Sequence, residues 1–456
     1  MRYYVLLLTV IVIISTSCES FVDTQPPNSQ LSGDVVFEDV ATARAALGNC
    51  YALLCDKVML TGGIEGLSVK LGYYSDEITP YTSEQSDQAF FQNSLTAVNS
   101  DIESFWNDSY NLIYSLNAIL ESVQASTGIP ANDKDVLVGE ALVARSLVYF
   151  NLVNLFGEAP YVTTTNYKQN VQIAKMDVPA LYQKLSEDLT LAHEKLPVAY
   201  RVSLRTTPNK SVAAALLARL YLYQENWELA SDSASEVINN IALYGIEEDL
   251  SKVFLKESRS TLWQLSPSLE GMPTREGQSF VFTEGPPPSR ALSAGLVEAF
   301  EIGDLRKEFW IGNVTDGQST WYFPSKYKQY TSMESSSEYS ILFRLEELYL
   351  IRAEARAMAG DIIGAKDDLN LVRSRAGLSN SGSSSPLDLR NEIIDERRFE
   401  FFTEHGHRWF DLKRTGLLNT VLSLSKPGWA STDQLWPLPQ NELLLNPALL
   451  PQNPGY

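Results

Sequence analysis

The feature that most constrains this chain is a unit of 34 residues, Arg344 to Gly377. It reads as two helices joined by a turn at Gly360-Asp361, with Ala353 and Ala365 where antiparallel helices cross closely. Asn209 to Asn240 scans the same way, with Leu217, Ala218, Tyr221 and Ala230 at that pitch. Two more pairs can be drawn: Phe37–Leu54 with Asp101–Val123, and Asp135–Phe156 with Pro179–Leu196. Val40, Ala43, Leu47 and Tyr51 recur at helical spacing, as do Phe105, Trp106, Ile113, Leu116 and Leu120. Gly157 and Pro160 stop the third segment and Pro197 the fourth. One pair cannot bury its apolar face alone, so such units stack.

The expected fold is therefore mainly α: about four tetratricopeptide-like helix pairs, two of them degenerate, forming a scaffold. Three segments break the pattern, at about 61–100, 241–340 and 417–456. They are expected to form a loop-rich subdomain of irregular segments and short strands, within one domain spanning 37–456. Thr261–Leu265 and Trp321–Phe323 read as strands and Leu296–Phe300 as a helical turn. Pro286–Pro288 and Gly312–Thr320 read as loops.

Glu396 to Gly416 mixes charge and aromatics more densely than any other stretch. Arg397, Arg398, Arg408 and Arg414 alternate with Glu396, Glu400, Glu404 and Asp411, and Phe399, Phe401, Phe402, Trp409 and Phe410 fill the gaps. The aromatics call for burial, and buried charge must be paired. The stretch reads as a helix, with Gly406 as its C-cap, followed by a turn. Arg397 faces Glu404 two turns on, and Arg408, Asp411 and Arg414 are spaced by three. Arg397, Glu404, Arg408, Trp409, Asp411 and Arg414 are expected to act as a structural clasp between scaffold and loops, with Arg408 on an interior carboxylate.

At the other end, Tyr3 to Ile14 is apolar but shorter than the ~20 residues that span a bilayer. It suits a signal peptide over 1–17. Ser15-Thr16-Ser17-Cys18 looks like a lipobox that makes Cys18 the lipidated first residue of the mature chain, with 18–36 as its tether. No other apolar run reads as a membrane span. Cys50 and Cys55, five apart on a helix, face different sides and read as buried thiols.

The residues from Glu396 to Gly416, the tail Leu435–Gln440, Asn446-Pro447 and Gln452–Tyr456, and the segment Phe343–Ala357 together resemble the SusD/RagB family of outer-membrane nutrient-binding lipoproteins. The likeness lies in Glu-Arg-Arg, Gly-x-Arg-Trp and Asp-Leu-x-Arg, at matching spacing. It implies a lipid-anchored protein of the outer membrane facing the cell exterior. It also implies a SusC-like TonB-dependent transporter as partner, to which a captured glycan is delivered.

Chemistry-bearing motifs are sparse. Among 456 residues stand three histidines, and there is no nucleophile elbow, zinc-protease helix or phosphate-cradling loop. No cofactor and no metal is expected, and His405 and His407 read as structural. The net charge of −20 argues against nucleic acid. Asp76-Glu77 could be imagined as a glycosidase pair, but adjacency does not set two carboxyls across a bond.

Glycan binding needs only aromatic faces and hydroxyl-bonding side chains on a rigid frame. Two clusters qualify: Tyr73, Tyr74 and Tyr81 near Asp76, Glu77, Gln85 and Asp87, and Trp310, Trp321, Tyr322, Tyr327 and Tyr330 near Asn313, Asp316 and Gln318. Trp106, Trp227, Trp263, Trp409 and Trp436 are assigned to core. The reading is a non-enzymatic binding protein for an oligo- or polysaccharide. The alternatives are a peptide ligand in the same system, a repeat scaffold without a small ligand and, last, a glycoside hydrolase.

Overall fold

The computed structural model describes residues 37 and 39–456. The expected signal peptide, Cys18 and the tether lie outside the described residues. The scaffold consists of the helices Val40–Asp56, Ser100–Ala125, Ala131–Phe156, Val178–Lys195, Lys210–Tyr223, Trp227–Ile238, Leu345–Ala359 and Ile362–Arg375. Each packs on the next in that order, and Pro386–Glu400 returns against Leu345–Ala359. The starts are chemically marked. Side chains of Asp39, Asn99, Asp177, Asn209, Asn226 and Asp361 accept backbone N–H groups that no turn of helix can satisfy. Gly360, at φ 90°, closes the first helix of the 34-residue unit.

Ala131–Phe156 corrects one expectation. By length and composition it could cross a membrane, yet 94% of its apolar window is buried inside the fold. It is the central helix of the largest core, hydrophobic on all sides because neighbours surround it. Cys50 and Cys55 are buried and unbridged, and burial pushes both thiols up to about 12.

The irregular segments form three two-stranded antiparallel sheets: Ile78–Pro80 with Arg290–Leu292, Thr261–Leu265 with Ser340–Arg344, and Ile311–Thr315 with Thr320–Pro324. The third overturns the expected loop over 312–320, where half of a hairpin stands instead. Segment 61–100 is also more ordered than expected, with helices Leu67–Tyr74 and Gln85–Phe91. A second core, around Phe254, Leu296, Phe300, Trp310 and Tyr327, belongs to these segments.

The charged aromatic stretch differs in detail from its reading. Its helix stops at Glu400, and Thr403 and His405 take positive φ. Gly406, at φ 78°, does not cap that helix but precedes the next, His407–Arg414. A Cβ on Gly406 would stand 2.2 Å from Leu71 Cδ1, so glycine is needed for space as well as for φ.

Candidate ligand-binding site

The ion pairs of the stretch fix the ground on which any site rests. Arg397 pairs with Asp411 at 2.8 Å, not with Glu404, because the helix ends before Glu404 can share its face. Glu404 instead receives Lys326 and Arg344. Arg414 bonds both carboxylate oxygens of Glu354 at 2.7 Å and Asp411 at 2.8 Å. Arg408 does meet an interior carboxylate: its Nε and Nη2 donate to Asp76 at 2.9 Å, and Arg398 adds a bond at 3.0 Å.

Glu400 is the hub that sequence reasoning missed, bonded by Arg306, Arg344 and Arg375. Burial alone would raise its pKa, but Arg375, Arg344 and Arg306 outweigh that and hold it well below the usual range. His405 Nε2 donates to the Ile341 carbonyl at 2.8 Å, and burial lowers the pKa of both His405 and His407.

Within this frame, several expected ligand-facing aromatics prove to be core. All eight residues of Leu67–Tyr74 are buried, so Tyr73 and Tyr74 offer no face. The Tyr73 hydroxyl accepts from Arg290 at 3.0 Å, and Tyr74 sits among Phe90, Trp409, Trp429 and Trp436. Trp310 donates to the Leu250 carbonyl at 2.9 Å, Tyr327 accepts from the Ile341 amide at 2.9 Å, and both rings pack on Phe254. Large aromatics fill cores first, and these four have been used that way. Trp106, Trp263, Trp409 and Trp436 are core as expected, whereas Trp227 is half-buried under Arg390.

Tyr81, Trp321, Tyr322 and Tyr330 remain. Tyr81 is 44% exposed. The two loop segments that carry the first three come together because Ile78–Pro80 pairs with Arg290–Leu292, beside which Thr320–Pro324 lies. The Tyr81 amide donates to the Ser289 carbonyl at 2.7 Å. The Trp321 indole rests on Gly285, where a Cβ would stand 2.2 Å from its ring. Tyr81 and Trp321 are thus both held by the short loop 285–289. Tyr322 points to the other face of the hairpin, as alternation requires, beside its register partner Asn313, which is exposed. Of the polar groups expected around the first cluster, Gln85 is exposed, whereas Asp76 is ion-paired, Glu77 is buried and Asp87 is bonded by Lys70 at 2.6 Å. What the arrangement can do is stack and hydrogen-bond a ligand.

The family model described as "Starch-binding associating with outer membrane" matches residues 21–222, and that of the "SusD family" matches residues 310–456. "SusD-like protein P2" of Formosa agariphila is 27% identical, over 100% of both chains, and "SusD-like protein P25" of the same organism is 25% identical, over 96% of this chain and 97% of that one. A SusD superfamily protein from Parabacteroides distasonis has the same fold, with TM-score 0.79 and 21% identity over 94% of this chain and 100% of that one. So does a "Laminarin binding SusD-like protein", with TM-score 0.76 and 24% identity over 91% of this chain and 99% of that one. The mostly helical fold, the two family models that together cover more than half of the chain, and relatives matched along their whole length lead to one conclusion: this chain belongs to the SusD/RagB family of carbohydrate-binding, outer-membrane-associated proteins.

Proposed function

We propose that this chain is a non-enzymatic lipoprotein, held at the cell surface through Cys18, that captures a glycan and passes it to a SusC-like TonB-dependent transporter. The observation that carries the reading is the anchoring of Tyr81 and Trp321 to one loop, on a frame locked by buried ion pairs. Aromatic faces cover the C–H patches of a sugar ring, and polar groups beside them bond its hydroxyls. The laminarin-binding neighbour supports a glycan as ligand. The non-enzymatic reading is supported by the state of Asp76 and Glu77. Arg398 and Arg408 occupy the first carboxylate, and burial raises the pKa of the second to about 7, with Asp76 adding to the rise.

Trp321→Ala tests the reading. Titration of the protein with neutral oligosaccharides is expected to change tryptophan fluorescence, and the variant is expected to bind about 30-fold more weakly, a loss of ~2 kcal/mol. Failure of the wild-type protein to bind any glycan in a broad panel would overturn the reading. Release of reducing ends from a polysaccharide would overturn its non-enzymatic part. Co-purification of a large barrel from outer membranes tests the transporter partnership.

A further inference from the structure

The helix Ser100–Ala125 carries an aromatic ladder separate from the Tyr81–Trp321 face. Trp106, Tyr110 and Tyr114 stand four residues apart, so they repeat every ~6 Å along the axis, the scale of one sugar ring. Asn107 and Asn111 run beside them at the same spacing. The inner end is rigid. Trp106 is buried with its ring 4.9 Å from Tyr110 and 5.1 Å from Phe156, and the Tyr110 hydroxyl donates to the Pro160 carbonyl at 2.9 Å. The outer end is open, with Tyr114 52% exposed. Across from the ladder, Tyr167, 69% exposed, and Asn170 come from one short helix and Glu442 from Gln440–Leu445. Together they line a groove of about 700 Å³, within the range of small-ligand clefts.

The unused polar groups specify what the groove would take. Asn170 donates through Nδ2 to the Thr164 carbonyl at 2.7 Å, but its Oδ1 is buried without a partner. A buried acceptor left unbonded is costly, and a ligand hydroxyl would satisfy it. Glu442 is half-buried and, among the described residues, has no ion-pair partner. Burial raises its pKa, and the nearby Glu103 raises it further. Such a carboxylate accepts from hydroxyls and repels anions. Among the described residues no lysine or arginine lines the groove, so a phosphate, sulfate or uronate would lack a counter-charge.

We propose that this groove is a second binding site for a neutral oligosaccharide. The proposal rests on the reading of the chain as a glycan-binding protein. Two separate sites hold one polymer at two points, which strengthens retention through effective concentration without any new contact.

The test is calorimetric titration of the whole mature protein with laminarihexaose, maltohexaose, xylohexaose, mannohexaose and, as the acidic control, trigalacturonate. The variants are Tyr114→Ala/Tyr167→Ala, both at exposed positions, Trp321→Ala, and Glu442→Gln. The wild-type protein is expected to bind one or more neutral hexaoses at two sites per chain and to ignore trigalacturonate. Each aromatic variant is expected to reduce the stoichiometry from two to one. Glu442→Gln is expected to weaken the groove site about tenfold, the difference between a charged and a neutral acceptor.

If Trp321→Ala abolishes all binding while Tyr114→Ala/Tyr167→Ala changes neither stoichiometry nor affinity, the groove proposal is overturned and the glycan reading stands. If the wild-type protein binds none of the hexaoses, both are overturned. If the tyrosine variant loses a co-purifying outer-membrane barrel with hexaose binding intact, the groove is a protein contact and the proposal is overturned.

Discussion

Arg408 and Asp76 are 332 positions apart in the chain, yet they share two hydrogen bonds of 2.9 Å. Removing one member of a buried pair leaves the other charge stranded, at a cost of ~3–5 kcal/mol. Arg398 still holds Asp76, so Arg408→Ala is expected at the lower end, about 3 kcal/mol in urea unfolding, with glycan affinity unchanged in the folded fraction. An unchanged unfolding midpoint with binding lost would instead give Arg408 a role in the ligand site. Glu77 acts in the opposite electrostatic sense. Its folded pKa of about 7, raised chiefly by burial, exceeds the ordinary 4.5. Between those values the unfolded chain has released a proton that the folded protein keeps, so stability falls as pH rises from about 4.5 to 7. Glu77→Gln is expected to flatten that part of the profile and to raise stability at neutral pH by on the order of 3 kcal/mol, read from melting curves across pH. These partners show what was legible at this scale. The composition of the stretch announced buried, paired charge. Which arginine met which acid did not follow, because Thr403 and His405 leave the helix that the spacing of Arg397 and Glu404 assumed.

Elements were legible where a period and a cap coincided. The scaffold helices begin within a few residues of their expected places, each of six marked by an Asp or Asn side chain on the first turn. Elements with no period were not legible. Leu67–Tyr74 is buried on every side, so no amphipathic stripe betrays it or the fate of Tyr73 and Tyr74. Ile311–Thr315 has two apolar residues and becomes a strand only against Thr320–Pro324. The hairpin matters because it lays Trp321 on Gly285. Gly285→Val is expected to push the indole off its seat, shift tryptophan emission to longer wavelength, and weaken glycan binding as much as Trp321→Ala does. Emission and affinity both unchanged would show that the hairpin tolerates the side chain and that the close approach does not position the ring.

At the scale of the molecule, the charged aromatic stretch lies where three cores meet. Phe402 belongs to the core of the loop segments, Phe401 to that of the 34-residue unit, and Trp409 and Phe410 to the largest. The carboxylates that bind these bodies share one electrostatic condition. Burial would raise the pKa of Glu400, Glu404, Glu354 and Asp411, but their arginine and lysine partners lower each below its ordinary value. A carboxyl whose folded pKa is depressed contributes its full stabilisation above the unfolded pKa and loses it as pH falls through the folded one. The fold is therefore expected to lose stability steeply below about pH 4, the reverse of the Glu77 effect at higher pH. Glu400 receives three arginines from three segments, so Glu400→Gln should remove the largest share of that acid dependence. It should also cost ~3–5 kcal/mol at neutral pH, because Arg306, Arg344 and Arg375 lose a common counter-charge. Hydrogen exchange gives the decisive readout. In the variant, amides of Ile311–Thr315 and Thr320–Pro324 should exchange before those of Ala131–Phe156, as the loop segments come loose from the scaffold. Equal acceleration in both places would mean that the stretch stabilises one undivided core and does not join separate ones.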